Sequence, residues 1–226
     1  MPTQPDNPPI PAAERELRVS EIFYSLQGES RTVGQPTVFV RLTGCPLRCG
    51  YCDTSYAFAG GEKMKLSEIL QQVTAYAPRY VTVTGGEPLA QRDCWLLLKM
   101  LCDAGYITSL ETSGAIDISK VDRRVSTVMD IKTPGSGEVE RNRYQNIDLL
   151  KRKDQVKFVI SDRADYDWSR QLIDEKGLLD KCEGLFSPVH GELDPAVMAG
   201  WIIEDNLPVR MQIQLHKYLW GDDRGR

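Results

Sequence analysis

The sequence contains no long apolar run. Among its 226 residues, no stretch approaches the roughly 20 apolar residues that a membrane-spanning helix needs. The first residues, 1–13, are polar and rich in proline, which is unlike a secretory signal. We therefore expect a cytoplasmic protein that has no membrane partner.

A surplus of positive charge is also missing. The chain carries 28 lysines and arginines against 32 aspartates and glutamates, a formal net charge of −4. Proteins that bind nucleic acid through its phosphates usually have the opposite balance. Nucleic acid is therefore not expected as a partner, whereas the 41% hydrophobic content is enough for one sizeable core.

Histidine and cysteine are scarce as well. The chain has two histidines, His190 and His216, and six cysteines, which do not make a disulfide scaffold at this length. Three of the cysteines are nevertheless concentrated in Cys45-Pro-Leu-Arg-Cys49-Gly-Tyr-Cys52, directly after the β-like run 38–42. Three thiolates so close together indicate a metal site in a reducing compartment.

The absence of a fourth nearby cysteine bears on which metal is bound. Structural zinc needs four ligands, usually as two pairs, and no second pair is present. A thioredoxin-like role for Cys49 and Cys52 would not need Cys45. An iron–sulfur cluster held by three cysteines leaves one iron open to an external ligand, as a catalytic cluster requires. The spacing favours that cluster, with zinc and thiol redox chemistry as the alternatives.

The rest of the chain predicts an α/β fold. Residues 1–16 are interpreted as a flexible proline-rich extension and residues 17–226 as a single domain. Strands are predicted over 38–42, 80–84, 107–111, 125–131, 155–160 and 209–215, with a further short one over 184–187. They alternate with helices predicted over 66–77, 93–104, 162–176 and 194–204, the last capped by Asp194. Such alternation predicts a parallel sheet of the barrel type.

Short polar sequences follow almost every predicted strand. They comprise the three cysteines, Gly85-Gly86-Glu87-Pro88, Glu111-Thr112-Ser113-Gly114, Asp130 with Lys132, Ser161, and Ser187-Pro188-Val189-His190. In parallel α/β folds the carboxyl ends of the strands meet at one edge, where ligands bind. The sequence therefore predicts one shared pocket at that edge. The glycine pair either approaches a ligand there or makes a tight turn.

The motif Cys-x3-Cys-x-aromatic-Cys, followed by Gly-Gly-Glu-Pro, resembles the radical S-adenosylmethionine superfamily. In that superfamily a [4Fe-4S] cluster binds S-adenosylmethionine through its open iron, and one electron cleaves it to methionine and a 5′-deoxyadenosyl radical. The resemblance implies that the cofactor performs the difficult chemistry, while the protein orients it and excludes side reactions.

Further segments, spread from about Val19 to Trp220, resemble the 7-carboxy-7-deazaguanine synthase family. They are residues 21–29, 52–54, 83–88, 111–114 and 214–218. Members of that family are carbon–nitrogen lyases that convert 6-carboxy-5,6,7,8-tetrahydropterin to 7-carboxy-7-deazaguanine with release of ammonia, on the route to queuosine. The resemblance also implies an abbreviated, partial (β/α)6-type barrel, a homodimer, a magnesium ion and a flavodoxin-like electron donor.

The resemblance assigns roles to individual residues. It implies that Cys45, Cys49 and Cys52 hold the cluster and that Thr54 binds magnesium. The S-adenosylmethionine site would comprise Tyr51, Cys52, Asp53, Gly86, Ser113, Lys132, Ser187, Pro188, Val189 and His190. The pterin site would comprise Leu26, Gln27, Gly28, Arg41 and Thr84. Arg41 is the expected partner of the substrate carboxylate, because a guanidinium binds two oxygens at once.

Two other functions remain open at this stage. A glycyl-radical-enzyme activating enzyme has the same cysteine spacing, but its substrate would be a protein, and the segments 26–29 and 53–54 argue against it. A metal- or cluster-binding module without turnover is the non-enzymatic alternative. His216 is interpreted as a core histidine. The basic stretches at 123–124, 141–143 and 151–153 are interpreted as solvated surfaces, with docking of the electron donor as the other interpretation.

Overall fold

The computed structural model describes residues 11–221 and 223–226. Most of the predicted N-terminal extension, residues 1–10, lies outside that range. The part that follows is packed on the domain: Ala12–Glu14 forms a 3-10 turn, and the Glu14 carboxylate lies 2.6 Å from the Lys65 ammonium. Within the described ranges, no helix is both long enough and apolar enough to cross a membrane.

Across the described residues, nine strands form a single sheet. They are β1 (Glu16–Leu26), β2 (Pro36–Leu42), β3 (Glu62–Lys65), β4 (Tyr80–Gly85), β5 (Ile107–Thr112), β6 (Ser126–Asp130), β7 (Gln155–Ile160), β8 (Glu183–Pro188) and β9 (Arg210–Met211). Their order in the sheet is β3-β1-β2-β4-β5-β6-β7-β8-β9. All neighbouring pairs from β2 to β9 are parallel, whereas β1 is antiparallel to both β2 and β3.

The sheet is open, with β3 and β9 at its two edges. The predicted α/β fold, a partial barrel of parallel strands, is therefore confirmed. The antiparallel strands β1 and β3 were not predicted. A bulge between Val19 and Glu21 interrupts the alternation of buried and exposed residues along β1, and that alternation is the pattern by which a half-buried strand is recognised.

Six α-helices accompany the strands in the described part of the chain. They are α1 (Leu66–Ala75), α2 (Cys94–Asp103), α3 (Arg163–Lys176), α4 (Leu178–Lys181), α5 (Pro195–Glu204) and α6 (Leu215–Trp220). Leu66, Ile69 and Val73 give α1 a buried stripe at helical spacing. The predicted cap of α5 is confirmed, because the Asp194 carboxylate accepts a hydrogen bond from the Ala196 amide at 2.8 Å.

The general alternation of strands and helices fails in the middle of the chain, in agreement with the predicted helix ranges, which place no helix over 112–124 or 132–154. In the described residues the link from β5 to β6 holds no helix, and the link from β6 to β7 holds only 3-10 turns. The buried Asn146 supplies hydrogen bonds that a helix would otherwise make. Its amide donates to the carbonyls of Gly114 and Ile116 at 2.8 Å, and its oxygen accepts from the Ile118 amide at 3.3 Å.

The predicted strand at 209–215 is also wrong over most of its length, because only Arg210–Met211 pairs in the sheet. The next residues turn instead toward the link between β1 and β2. The Gln212 side chain accepts from the Ser30 amide at 2.9 Å, and the Leu215 amide donates to the Gly28 carbonyl at 3.1 Å. This turn brings α6 to the carboxyl edge of the sheet.

Replacing Asn146 with alanine should destabilise the fold, because two buried backbone groups and one half-buried one would lose their partner. We expect the free energy of unfolding to fall by about 2 to 4 kcal/mol in chemical denaturation. Gln171→Ala on the exposed side of α3 is the control, with an expected change below about 0.5 kcal/mol. Equal stability of the two variants would contradict the role given to Asn146.

Candidate active site

A cavity of about 430 Å³ lies at the carboxyl edge of the parallel strands. This volume is in the range of small-molecule sites. Its wall is built from the ends of β2, β4, β5, β6 and β7 together with the cysteine segment, the link after β1, and the chain around α6. The shared pocket predicted from the polar strand ends is therefore present.

The three clustered cysteines, Cys45, Cys49 and Cys52, line one side of this cavity as free, partly buried thiols. Burial raises the pKa of each thiol, so a metal that binds them must displace their protons. In the described ranges, no three Cys, His, Asp or Glu side chains are arranged to hold a single metal ion. Three thiols on one side of a cavity suit an iron–sulfur cluster, whose irons are normally bound by cysteines.

The glycine pair at the end of β4 lets the backbone approach the cysteine segment. A Cβ atom on Gly85 would lie 2.2 Å from the Leu42 carbonyl oxygen, and one on Gly86 would lie 2.4 Å from the Gly44 carbonyl oxygen. The Glu87 amide donates to that same Gly44 carbonyl at 2.7 Å. The pair therefore lets the end of β4 pack against the chain that leads into Cys45; a side chain on Gly85 would displace Leu42, and one on Gly86 would displace Gly44.

Glu87 is completely buried behind these glycines. Its carboxylate accepts from the Thr112 hydroxyl at 2.9 Å, from the Ser113 amide at 2.7 Å and from the Ser113 hydroxyl. It also accepts from the Leu89 amide at 3.0 Å. These bonds satisfy a charge that would otherwise be costly to bury, and they tie the end of β4 to the end of β5.

A set of largely buried charges lies beside the thiols. The Lys132 ammonium is 3.1 Å from Asp130, and the Lys157 ammonium is 3.3 Å from Asp130 and 2.7 Å from Glu29. Burial alone would lower the pKa of each lysine, but the neighbouring carboxylates outweigh it and raise the pKa of both. Burial would likewise raise the pKa of Asp130, but the lysines hold it below its usual value. Asp130 and both lysines therefore stay charged.

Two buried polar atoms at this end of the cavity have no hydrogen-bond partner among the described residues, namely Asp130 Oδ1 and the Tyr51 hydroxyl. Burial, with Asp130 nearby, raises the pKa of Tyr51, so the phenol keeps its proton. An unpaired buried donor and an unpaired buried acceptor are each costly. Because both residues line the cavity next to the thiols, they fit a polar ligand bound there.

A second polar group lies on the wall formed by β4 and β5. The Glu111 carboxylate accepts from the Thr84 hydroxyl at 2.8 Å and from the Gln27 amide at 3.1 Å. The Gln27 side chain, itself buried, also accepts from the Glu29 amide at 3.1 Å. These contacts fix three hydrogen-bonding side chains on one wall, as recognition of a heterocycle requires.

Arg41 reaches the cavity from β2. Its Nε donates to Glu21 Oε1 at 2.7 Å, so the protein itself supplies an anion for this half-buried cation. Within residues 11–221 and 223–226, the structure shows no hydrogen-bond acceptor for the two terminal nitrogens of Arg41. They are available to a ligand.

The segment after Cys52 is joined to the C-terminal part of the chain. The Asp53 carboxylate accepts from the Thr54 hydroxyl at 2.8 Å and from the Gln214 amide at 3.0 Å. Burial would raise the pKa of Asp53, but these hydrogen bonds and Lys157 outweigh it, so the pKa lies below its usual value. Asp53 is therefore a carboxylate at the cavity wall.

His216 also borders this cavity, and the interpretation as a core histidine is wrong. The side chain is half-buried and lies over Gly28, where an added Cβ would be 2.3 Å from His216 Nδ1. Arg226 lines the cavity as well. The reason for the error is that α6 turns toward the carboxyl edge instead of continuing a strand.

The comparisons with known proteins agree with this geometry. Residues 39–128 match the model of the Radical SAM superfamily. The chain is 46% identical to the 7-carboxy-7-deazaguanine synthase of Chlorobaculum tepidum, over 94% of this chain and 98% of the relative. It is 42% identical to that of Koribacter versatilis, over 90% and 97%. The chain belongs to the 7-carboxy-7-deazaguanine synthase family.

Solved structures support the fold of this synthase family member. The crystal structure of QueE from Escherichia coli superposes with a TM-score of 0.71 at 21% identity, covering 89% of this chain and 95% of that one. Streptococcus suis SuiB bound to S-adenosylmethionine gives a TM-score of 0.53 at 16% identity, covering 76% and 44%. At these identities the likeness concerns the fold alone.

Most residues predicted for the synthase site line this one cavity. They are Leu26, Gln27, Gly28, Arg41, Cys45, Cys49, Tyr51, Cys52, Asp53, Thr54, Thr84, Gly86, Ser113, Lys132, Val189 and His190. Ser187 and Pro188 do not line it; they are buried in β8. The sequence assigned no role to Asp130, Glu111 or Lys157. Each is a charged residue in or at the end of an apolar strand, and that position could have indicated a place in the site, because an unpaired charge there is costly.

Replacing Gly86 with alanine should reduce cluster assembly in this synthase family member, because its Cβ would displace the backbone at Gly44. We expect a clear loss of iron and sulfide per chain after anaerobic reconstitution, measured with the visible absorption of the cluster. Gly50→Ala, inside the cysteine motif, is a matched control, since an added Cβ there meets nothing within 4 Å. Equal iron content in both variants would refute the contact argument.

Proposed function

We propose that this chain is a radical S-adenosylmethionine lyase that converts 6-carboxy-5,6,7,8-tetrahydropterin to 7-carboxy-7-deazaguanine with release of ammonia. The observation that carries the proposal is one cavity lined by three free thiols at one side and by Arg41, Gln27 and Thr84 on other walls. The relatives from Chlorobaculum tepidum and Koribacter versatilis, both 7-carboxy-7-deazaguanine synthases, match over nearly their whole length.

The cofactor side of the cavity is assigned from its chemistry. Cys45, Cys49 and Cys52 would hold the [4Fe-4S] cluster, which together with S-adenosylmethionine supplies the radical that starts the reaction. Lys132 offers a cation for the methionine carboxylate, while the unpaired Asp130 oxygen offers an acceptor. The backbone at Gly86 lies next to the cysteine segment and would contact the cofactor without a side chain in the way.

The substrate side is assigned in the same way. The terminal nitrogens of Arg41 would bind the pterin carboxylate in a bidentate pair. Glu111 lies on the wall that Gln27 and Thr84 share, and it would accept hydrogen bonds from the N–H groups of the pterin ring. The backbone of Leu26 and Gly28 would form the remaining edge. This arrangement holds the substrate between a cation and an acceptor.

Magnesium is proposed at Thr54. Its hydroxyl and the Asp53 carboxylate are in contact and both line the cavity, and hard oxygen ligands of this kind suit Mg²⁺. The remaining ligands would come from water and from the substrate. Asp53, a carboxylate held by Gln214, would balance the charge of the ion.

The test of the activity is anaerobic incubation of the reconstituted protein with dithionite, S-adenosylmethionine, magnesium and the carboxylated tetrahydropterin. Mass detection of 7-carboxy-7-deazaguanine is the expected result. Formation of 5′-deoxyadenosine without that acid would show a different substrate, as a glycyl-radical activating enzyme would have. Absence of both would favour a cluster-binding module without turnover.

Cys49→Ala should abolish both the cluster and product formation, because two thiolates cannot replace three ligands. Iron content and product should fall together. Cys94→Ala is the matched control, since Cys94 is completely buried in α2, away from the cavity, and should keep both. Turnover by the Cys49 variant would refute the mechanism.

The proposed homodimer has a candidate surface. Val197 and Ile203 on α5 are 44% and 77% exposed, although this helix is the most apolar of the described ones. Two large exposed aliphatic side chains on one short helix are what an interface between two copies would bury.

A cytoplasmic location stays a prediction.

Ile203→Glu is expected to weaken this dimer, because it places a charge in the apolar surface. Light scattering behind size-exclusion chromatography should show a shift toward the monomer mass. Ile107→Glu, an exposed isoleucine at the start of β5, should leave the mass unchanged. An unchanged mass in both variants would place the interface elsewhere.

The flavodoxin-like donor is proposed to dock near Arg48. This exposed cation lies between two cysteines of the cluster motif and donates to the Cys45 carbonyl at 2.8 Å. The basic surface at 123–124 is a weaker candidate, since Arg124 lies 2.7 Å from both Asp103 and Asp122. An acidic donor would therefore approach the cluster side most directly.

A further inference from the structure

Glu21 lies directly behind the proposed carboxylate-binding group and has no role in the function proposed above. It stands on β1 opposite Arg41 of β2 in the antiparallel register. Its side chain is 21% exposed, and that of Arg41 is 17% exposed. Because both side chains of this cross-strand ion pair are largely shielded from solvent, the pair restricts the orientation of the Arg41 side chain.

The contact is reinforced by Tyr56. Glu21 Oε1 accepts from Arg41 Nε and from the Tyr56 hydroxyl, both at 2.7 Å. Burial, together with Glu21, raises the pKa of Tyr56 to about 12 against the opposing effect of Arg41. The phenol therefore stays protonated and donates to Glu21.

Aromatic rings restrict the guanidinium further. Its carbon lies 5.6 Å from the centre of the Phe23 ring and 5.9 Å from that of Tyr56. Phe23 is itself stacked on Phe39, with ring centres 5.0 Å apart. Because Nε is bound to Glu21 and the rings lie beside it, the guanidinium can offer its two terminal nitrogens together to a carboxylate.

A second cation lies beside Tyr56. The guanidinium carbon of Arg224 lies 4.1 Å from the centre of the Tyr56 ring. The guanidinium groups of Arg41 and Arg224 thus both lie against this ring, whose hydroxyl donates to Glu21. A bound carboxylate would meet this positive charge, whereas an uncharged substituent would not.

We propose that Glu21 is a positioning residue which, with Tyr56, holds Arg41 for a substrate carboxylate and so sets the preference for a carboxylated over an uncarboxylated pterin. The proposal rests on the proposed function. A group that only neutralised Arg41 would, once removed, strengthen binding of a carboxylate, whereas loss of a positioning residue weakens it.

The test compares dissociation constants of 6-carboxypterin and 6-methylpterin for protein loaded with cluster and S-adenosylmethionine. We expect Glu21→Gln to weaken binding of 6-carboxypterin about tenfold, because the hydrogen bond to Arg41 loses the charge of its acceptor, with 6-methylpterin unchanged. Tyr56→Phe should act in the same direction while it keeps the ring. Glu16→Gln, on the same strand and paired with Lys63 at the surface, is the control and should change neither constant.

Two results would overturn the proposal, and they are distinguishable. If the unaltered chain prefers the carboxylated pterin and makes the deazapurine acid, but Glu21→Gln retains or increases that preference, only the role of Glu21 fails. If the unaltered chain shows no preference and no product, the proposed function fails with it. Iron content and melting temperature of each variant establish that the binding constants refer to folded, loaded protein.

Discussion

The buried carboxylate of Glu87 is the constraint on which the site depends. It receives hydrogen bonds from Thr112 and Ser113 at the end of β5, and the amide of the same residue bonds to Gly44 beside the cysteine segment. One residue therefore fixes the ends of two strands relative to the thiols. Because a buried charge must keep its partners, the three segments cannot shift independently.

The opposite wall depends on a second set of charged residues, most of them largely shielded from solvent. Lys157 on β7 joins Asp130 on β6 to Glu29 in the link after β1, and Gln214 joins Glu29 to Asp53 beside the last cysteine. Segments far apart in sequence thus meet around the cavity through ion pairs and hydrogen bonds. These ion pairs and hydrogen bonds hold the segments around the cavity in place, while one oxygen of Asp130 stays unpaired and faces the thiol side.

The sequence predicted the parallel strands and the shared pocket because those depend on local patterns. A buried β-branched run followed by polar residues indicates a parallel strand whose carboxyl end lies at the binding edge of the sheet. Contacts set by tertiary structure were missed. Nothing near Glu21 indicates that it faces Arg41, since the register of a bulged β1 decides this pairing. The turn of the chain after Met211, which brings His216 over Gly28, likewise depends on side-chain bonds to a distant link.

The most direct test of this account is the iron and sulfide content of Glu87→Gln after anaerobic reconstitution. The amide would place a donor against the Ser113 donors, so we predict far less cluster per chain than in the unaltered protein, with native circular dichroism. Leu172→Ala, destabilised on the buried face of α3, should still load its cluster and so separates this effect from general instability. A full, spectroscopically normal cluster in Glu87→Gln would contradict the claim that this carboxylate organises the site.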